Sequence, residues 1–208
     1  MNFIDKKLIT AALVALLGGC AGMSEEECMV ADWHALGFED GAAGAQVAQL
    51  SRRRQACADY GVRPDTEAYR AGRSEGLRLY CTEQRGYRSG RAGQTYTGVC
   101  PANLEGPFLN AYQAGRDLYL AQHAVDEVAA AIHDHEVERE QLADDITDKS
   151  ARLISDEATR DERITLLADI ARMKKRQGEL GTELDDLHQE LALRQADYQN
   201  VEMNSPYR

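Results

Sequence analysis

Cys20 is the residue of this sequence whose surroundings most clearly predict a chemical modification. It follows Leu17-Gly18-Gly19, at the end of the apolar run 8–17 and behind lysines at positions 6 and 7. A short basic segment, a short apolar segment and small residues before the cleavage point are typical of a secretory signal peptide. A cysteine directly after Leu-Gly-Gly is typical of a lipobox, in which cleavage exposes the cysteine for acylation. The sequence therefore predicts a signal peptide over 1–19 and an acyl group such as palmitate on Cys20.

The alternative interpretation of the apolar run is a transmembrane anchor. The run has about half of the roughly 20 apolar residues that a helix needs to cross a bilayer, so lipid anchoring is favoured. The residue after Cys20 is Ala21 rather than an aspartate. In this respect the sequence resembles lipoproteins that are exported to the outer membrane. We expect an outer-membrane lipoprotein that faces the periplasm.

Four further cysteines lie within the next hundred residues, at Cys28, Cys57, Cys81 and Cys100. An exported domain meets an oxidising environment, so an even number of cysteines predicts two disulfides. A zinc site is disfavoured because no Cys-x-x-Cys pair is present, and free buried thiols are the remaining alternative. Three pairings are open, and the helical path inferred below favours Cys28 with Cys81 and Cys57 with Cys100.

An aromatic residue stands three residues before a glycine four times, at Phe38, Tyr69, Tyr87 and Tyr112. Residues three and four apart share one face of a helix, and glycine inside a helix costs up to about 1 kcal/mol relative to alanine. The repeat therefore predicts helices whose glycine notches receive another backbone or ring. A ligand face is the alternative interpretation, and its residues would be Tyr69, Arg73, Tyr87, Arg91, Tyr112 and Arg116.

Local signals predict three helices in this part of the chain. The first covers about 36–60 and closes at Gly61. The second covers about 66–83 and begins after Asp65, which follows Pro64 and is expected to be its N-cap. The third covers about 85–96 and turns back toward the first.

Three segments together resemble a known family. They are Trp33 to Gly44 with its GFEDG core, YRAGRSEGLRLYC from Tyr69 to Cys81, and GYRSGRAGQTYTGVCP from Gly86 to Pro101. They resemble the bacterial lipoproteins grouped as domain-of-unknown-function family 2799, over roughly residues 28–120 plus the helical tail. The resemblance implies an envelope lipoprotein with a cysteine-containing helical domain, and it implies no activity.

The C-terminal part carries two stripes of apolar residues in a three-four alternation, one from Leu118 to Leu153 and one from Leu166 to Tyr198. The two stripes are out of register, and Thr159-Arg160-Asp161-Glu162 has a capping-box pattern. We therefore predict a turn between about Ile154 and Thr159 and an antiparallel hairpin, with one long helix as the alternative. The expected organisation is all-α: a disulfide-bonded helical domain over 20–116, a coiled-coil-like hairpin over 117–200 and a flexible tail over 201–208.

The net charge and the residue clusters of the chain limit which partners and which chemical sites are expected. The net charge is −11, and residues 117–208 hold 22 acidic and 11 basic side chains. Such a surface disfavours nucleic acid as a partner. The run His133-Asp134-His135-Glu136 is rich in metal-ligand types, but residues two apart on a helix diverge, so we expect one core histidine on an acidic face. The acids Asp32, Glu39 and Asp40 are expected to serve helix starts rather than glycan cleavage.

No catalytic motif stands out in the sequence, and we expect neither enzyme activity nor a cofactor or metal. The favoured function is that of an envelope lipoprotein whose hairpin binds another envelope protein or its own copy. The alternative is a module that binds a small molecule or a cell-wall glycan through the tyrosine and arginine face.

Overall fold

The computed structural model describes residues 23–207, in which every regular element is an α-helix. The expected all-α class, with disulfides in the N-terminal part and long helices in the C-terminal part, is confirmed. The predicted signal peptide over 1–19 and the predicted lipidation site Cys20 lie outside the described residues. None of the helices in 23–207 combines the length and hydrophobicity that a membrane crossing requires. The helices are α1 Glu25–Met29, α2 Trp33–Ala42, α3 Ala48–Ala58, α4 Thr66–Tyr80, α5 Glu83–Arg91, α6 Ala102–Ile154 and α7 Arg160–Asn204.

Side-chain caps fix where several helices begin. Asp65 accepts hydrogen bonds from the backbone N–H groups of residues 67 and 68, which confirms it as the N-cap of α4. Asp32 caps α2 in the same way, at 3.0 Å from the N–H of Ala35. Thr159 caps α7 through the N–H of Glu162, as the capping-box pattern predicts. Each bond satisfies a donor that the first turn of a helix leaves unpaired.

The expected single helix over 36–60 is wrong, because the chain breaks between α2 and α3. Gly44 has φ of +70° and ends α2, and the N–H of Ala45 bonds back to the carbonyl of Asp40. This left-handed closure favours glycine. The third helix also ends earlier than expected, because Gly93, with φ of +68°, closes α5 in the same way.

The favoured disulfide pairing is also wrong. The bonds join Cys28 with Cys57 and Cys81 with Cys100. The break at Gly44 is the physical reason, since it lets α3 turn back and bring Cys57 to the end of α1. Cys28, Cys57, Trp33 and Tyr69 then form one buried core cluster.

The chain divides into two compact units, which are described separately. Unit 1 comprises the described residues up to Arg85 together with Tyr96–Leu109, and unit 2 comprises Gly86–Thr95 and the residues from Asn110 onward. The expected boundary at 116/117 lies inside α6, which begins at Ala102 rather than near Leu118.

Unit 2 contains the predicted antiparallel hairpin. The helix breaks at 155–159, so the alternative of one continuous helix does not hold. Val128 and Ile132 of α6 pack with Leu184 of α7, and Leu187 and Leu191 extend this cluster. All five are positions that the heptad stripes predict.

Polar contacts join the two arms farther along the hairpin. Arg176 donates two hydrogen bonds to the carboxylate of Glu138, at 2.8 and 3.0 Å. This guanidinium lowers the pKa of Glu138 below its usual value. Near the turn, Lys149 lies 3.2 Å from Asp169. Such pairs suit only one alignment of the arms, so they help to fix the register.

Candidate functional site

The six residues of the predicted ligand face do not form one surface. Tyr69 and Arg73 belong to unit 1, whereas Tyr87, Arg91, Tyr112 and Arg116 belong to unit 2. Tyr69 is 1% exposed and is therefore a core residue. The arrangement around each residue follows from how the helices cross, so the crossings are described first.

In unit 1, α2 and α4 meet backbone to backbone through four glycines: Gly37, Gly41, Gly72 and Gly76. A Cβ added at any of them would lie 2.0 to 2.3 Å from a carbonyl oxygen of the facing helix. No ordinary contact is that short, so only glycine permits this separation. The glycine notch predicted from the repeat is confirmed for this crossing, which we call the first crossing.

Asp40 lies buried beside the first crossing and accepts hydrogen bonds from two residues. Arg53 of α3 donates to its two oxygens at 2.9 and 2.7 Å, and the Tyr69 hydroxyl donates at 2.6 Å. Burial and the Asp40 carboxylate raise the pKa of Tyr69 above its ordinary value. The bond to Asp40 likewise raises the pKa of Arg53. The network ties α3 to both crossing helices, so its first effect is structural.

Unit 2 repeats this construction where α5 meets α6, which we call the second crossing. A Cβ on Gly90 would lie 2.0 Å from the carbonyl oxygen of Tyr112, and one on Gly115 would lie 2.2 Å from that of Tyr87. Gly93, which ends α5, lies against the ring of Tyr119. The same relation holds in unit 1 between Gly44, which ends α2, and the ring of Tyr80.

The backbone closures match as well. The N–H of Ala45 bonds to the carbonyl of Asp40 in unit 1, and the N–H of Gln94 bonds to that of Ser89 in unit 2. Asp40 and Ser89 are both 7% exposed. The two crossings are therefore the same arrangement built twice, and the four aromatic-glycine copies supply one helix each.

Three predicted ligand-face residues are occupied in holding these closures. Arg73 donates to the carbonyl of Ala45 at 2.8 Å, and Tyr112 donates to that of Gln94 at the same distance. Arg116 donates to the carbonyl of Gly93 at 3.0 Å. The accepting carbonyls lie in the turns that directly follow α2 and α5, so these side chains hold the turns in place.

Tyr87 and Arg91 lie instead on a surface cleft of unit 2, with a volume of about 620 Å³. The ring of Tyr87 stacks on that of Tyr207, with centroids 5.6 Å apart. The cleft offers aromatic surface, one guanidinium and one carboxylate. Sequence reasoning missed its C-terminal side, because residues 201–208 were expected to be flexible. The full lining is Tyr87, Arg91, Leu118, Glu202, Met203 and Tyr207.

The other residues considered for chemistry hold structural positions. His135 lies at the seam of the hairpin, where its Nε2 is 3.0 Å from Glu183, whereas His133 is exposed. Asp32 caps α2. Within residues 23–207, no three side chains of metal-ligand type form a group that could hold an ion.

Comparison with known proteins finds one family model that matches the part of the chain containing the crossings. A family model described as "Protein of unknown function (DUF2799)" matches residues 32–117. The match includes the helices of the first crossing, α5 and the part of α6 that carries Gly115. No curated protein and no solved structure matches the chain. Residues 32–117 of this chain are thus similar to this uncharacterised domain family.

Proposed function

We propose that this chain is a non-enzymatic lipoprotein of the bacterial outer membrane, whose hairpin binds protein in the periplasm. The proposal has two halves, protein interaction and membrane anchoring, and the interaction half is based on the hairpin. Its helices have 53 and 45 residues, and several of their large apolar residues are exposed. Long amphipathic helices are surfaces on which partner helices dock. The most exposed of these apolar residues are Ile154, Leu193, Met203 and Ile164.

The membrane half of the proposal rests on the lipobox and on chain length. Met23 is three residues after Cys20, and a fully extended chain of that length spans at most about 11 Å. A lipid on Cys20 would therefore hold α1 close to the bilayer. The end of α1 exposes Met29 and Val30, at 67% and 77%. The two disulfides of unit 1 are bonds that an oxidising compartment maintains.

A non-enzymatic role is supported by what the polar groups already do. Asp40, the buried carboxylate of unit 1, has both oxygens in hydrogen bonds with Arg53 and Tyr69. A general acid or base must instead reach a proton on the substrate. The arginines near the crossings are likewise engaged with backbone carbonyls.

A second function is favoured by the cleft of unit 2. Stacked Tyr87 and Tyr207 with Arg91 at one side could hold a planar or sugar ring that carries an anionic group. Changing Tyr87 to alanine would remove one wall of the cleft. Under this alternative, that variant loses ligand binding while crosslinks from the hairpin persist.

The proposal is tested in the native envelope with the lipidated chain. A photo-crosslinking residue is placed at exposed hairpin positions such as Glu136 and Leu193, and separately at Arg91 of the cleft. We expect protein crosslinks from the hairpin positions. Crosslinks confined to Arg91 would contradict the interaction half of the proposal.

The membrane half has its own test. We expect Cys20→Ser to leave the precursor unprocessed or to release the chain from the outer-membrane fraction. Alanine at Ser24, four residues farther on, serves as the control and should still be acylated. Normal processing and sedimentation of Cys20→Ser would contradict lipid anchoring.

A further inference from the structure

The outward side of α7 carries features that the packing of one chain does not explain. Ile164 and Leu193 are 29 residues apart, which is about eight turns of an α-helix, so they lie on the same side. Their exposures are 59% and 72%. The opposite side of α7 is the one that buries Leu166, Leu180 and Leu184. We call the exposed residues along the outward side the outer face: Ile164, Ala168, Ala171, Lys175, Gly178, Thr182, Gln189, Leu193 and Ala196.

The centre of the outer face is made of small residues. A Cβ added at Gly178 would meet no described atom within 4 Å, in contrast to Gly76 and Gly115 of the crossings. A glycine inside a helix costs up to about 1 kcal/mol relative to alanine. In the crossings, that cost accompanies a close backbone approach. At Gly178, the surface that would approach is absent from the described part of this chain.

Charge changes sign across the same centre. Lys174 and Lys175 lie six and five residues before residue 180, whereas Asp185 and Asp186 lie five and six residues after it. Lys175 is 81% exposed at its side chain, and its Nζ lies 3.5 Å from Glu179 of the same helix. The helix surface is thus complementary to itself when it is reversed about residue 180.

We propose that the outer face docks on the outer face of a second copy, antiparallel about a two-fold axis at residue 180. Each lysine pair then faces the aspartate pair of the other copy. Gly178 faces Thr182 at the centre, where small side chains allow the helices to approach closely. A parallel arrangement would set lysine against lysine and aspartate against aspartate, which like-charge repulsion disfavours. The contact is isologous, as a two-fold dimer requires.

Other pairs of exposed positions fit the same symmetry. Ala171 and Gln189 are each nine residues from the axis, and Ile164 and Ala196 are each sixteen residues from it. In the dimer, Ile164 therefore covers Ala196 of the other copy. This inference rests on the interaction half of the proposed function and names the partner of α7. It does not depend on the lipid.

A cysteine pair tests both the contact and its direction. The chain from Ala21 onward, which lacks the Cys20 thiol, carries Ala171→Cys and Gln189→Cys, is oxidised with copper phenanthroline, and is analysed on a non-reducing gel. The two sites are 18 residues, or about 27 Å, apart on one helix, so a disulfide within one chain cannot close. We expect the double variant to form a covalent dimer and each single variant to remain monomeric.

Each other result of this experiment has a meaning. Dimers from the single variants would indicate a parallel contact and overturn the inference. Monomers from the double variant would overturn it as well. If the hairpin still crosslinked to other proteins in the envelope, the proposed function would stand without the dimer. Ala129→Cys with Thr147→Cys, also exposed and 18 residues apart on α6, is the matched control and should give no dimer.

Charge reversal supplies an independent test by sedimentation of the mature chain. Lys174→Glu with Lys175→Glu should weaken dimerisation at least tenfold. Adding Asp185→Lys and Asp186→Lys should restore dimerisation, because the two charged pairs then have exchanged signs and opposite charges face each other again. Asp144→Lys, on an exposed position of α6, should leave the dissociation constant unchanged. A fourfold variant that stays as weak as the double variant would contradict the proposed charge pairing.

Discussion

Replacing Gly76 with alanine should destabilise unit 1, although the same change stabilises an isolated helix. The new Cβ would lie 2.1 Å from the carbonyl oxygen of Phe38 and 2.6 Å from the nitrogen of Ala42. Ordinary contacts begin near 3.4 Å, so α2 and α4 would have to separate by more than about 1 Å. Both contacted atoms are backbone, and no side-chain rotation relieves the overlap.

The magnitude follows from two opposing effects. Overpacking a tight contact costs about 1–3 kcal/mol, and a clash with rigid backbone belongs at the upper end. Alanine returns up to about 1 kcal/mol of helix propensity. The expected net loss for Gly76→Ala is about 2 kcal/mol. For a unit of this size, that lowers the melting temperature by about 8–16 °C.

The assay is thermal unfolding followed by the fluorescence of Trp33, the only tryptophan of the chain, which is buried in the core of unit 1. Gly181→Ala is the matched control, because a Cβ there meets nothing within 4 Å. The control should gain up to about 1 kcal/mol in the hairpin, measured by circular dichroism. A Gly76→Ala variant as stable as wild type would refute the argument from backbone contact.

Three further changes test other parts of the structure. Because the folded state raises the pKa of Tyr69, wild type should lose stability as the pH rises above about 10. In alkaline denaturation, Tyr69→Phe should show a smaller loss. At pH 7 this variant should be about 1.5–3 kcal/mol less stable than wild type, because it lacks the hydrogen bond to Asp40. Replacing Cys28 and Cys57 together with serine should cost about 3–4 kcal/mol in denaturant unfolding, and non-reducing peptide mapping of wild type should recover this pair rather than Cys28 with Cys81. Arg163 donates to three backbone carbonyls at the hairpin turn, so Arg163→Met should speed hydrogen exchange near residues 153–158 and destabilise the hairpin by about 2 kcal/mol; unchanged exchange there would contradict this role.

The sequence predicts the hairpin well because its signals are local. Thr159 has the capping pattern, and it lies between the two stripes, which are out of register with each other. The seam positions Val128, Ile132 and Leu184 are buried as their spacing indicates. Periodicity identifies a buried side of a helix directly, and a short turn leaves antiparallel packing as the simplest arrangement.

The disulfide pairing could not be predicted because glycine has two roles in the same motif. Gly41 continues α2 at the first crossing, whereas Gly44, three residues later, ends the helix with a positive φ. Both belong to one glycine-rich run, and spacing alone does not separate them. Extending the helix past Gly44 moves Cys57 away from Cys28, which is the error in the expected path.

The sequence also left the partner of each helix open. All four aromatic-glycine copies have the same spacing, so any two could form a crossing. In the structure, the first copy pairs with the second and the third pairs with the fourth. The two copies of each pair lie within about 35 residues of each other in the sequence. The ligand face was assembled by treating all four copies as one surface. Two separate crossings place Tyr69 in one core and Tyr87 on another unit's cleft.

The difference between the crossings explains why only unit 1 needs α3. Asp40 and Ser89 occupy equivalent buried positions, but a carboxylate removed from water requires a partner charge whereas a hydroxyl does not. Arg53 supplies that charge from α3, and the disulfide of Cys57 holds the same helix. The glycine contacts hold two helices together in both crossings. The buried charge of Asp40 makes the first crossing depend on a third helix, α3. With a neutral serine at the equivalent position, the second copy has no such requirement.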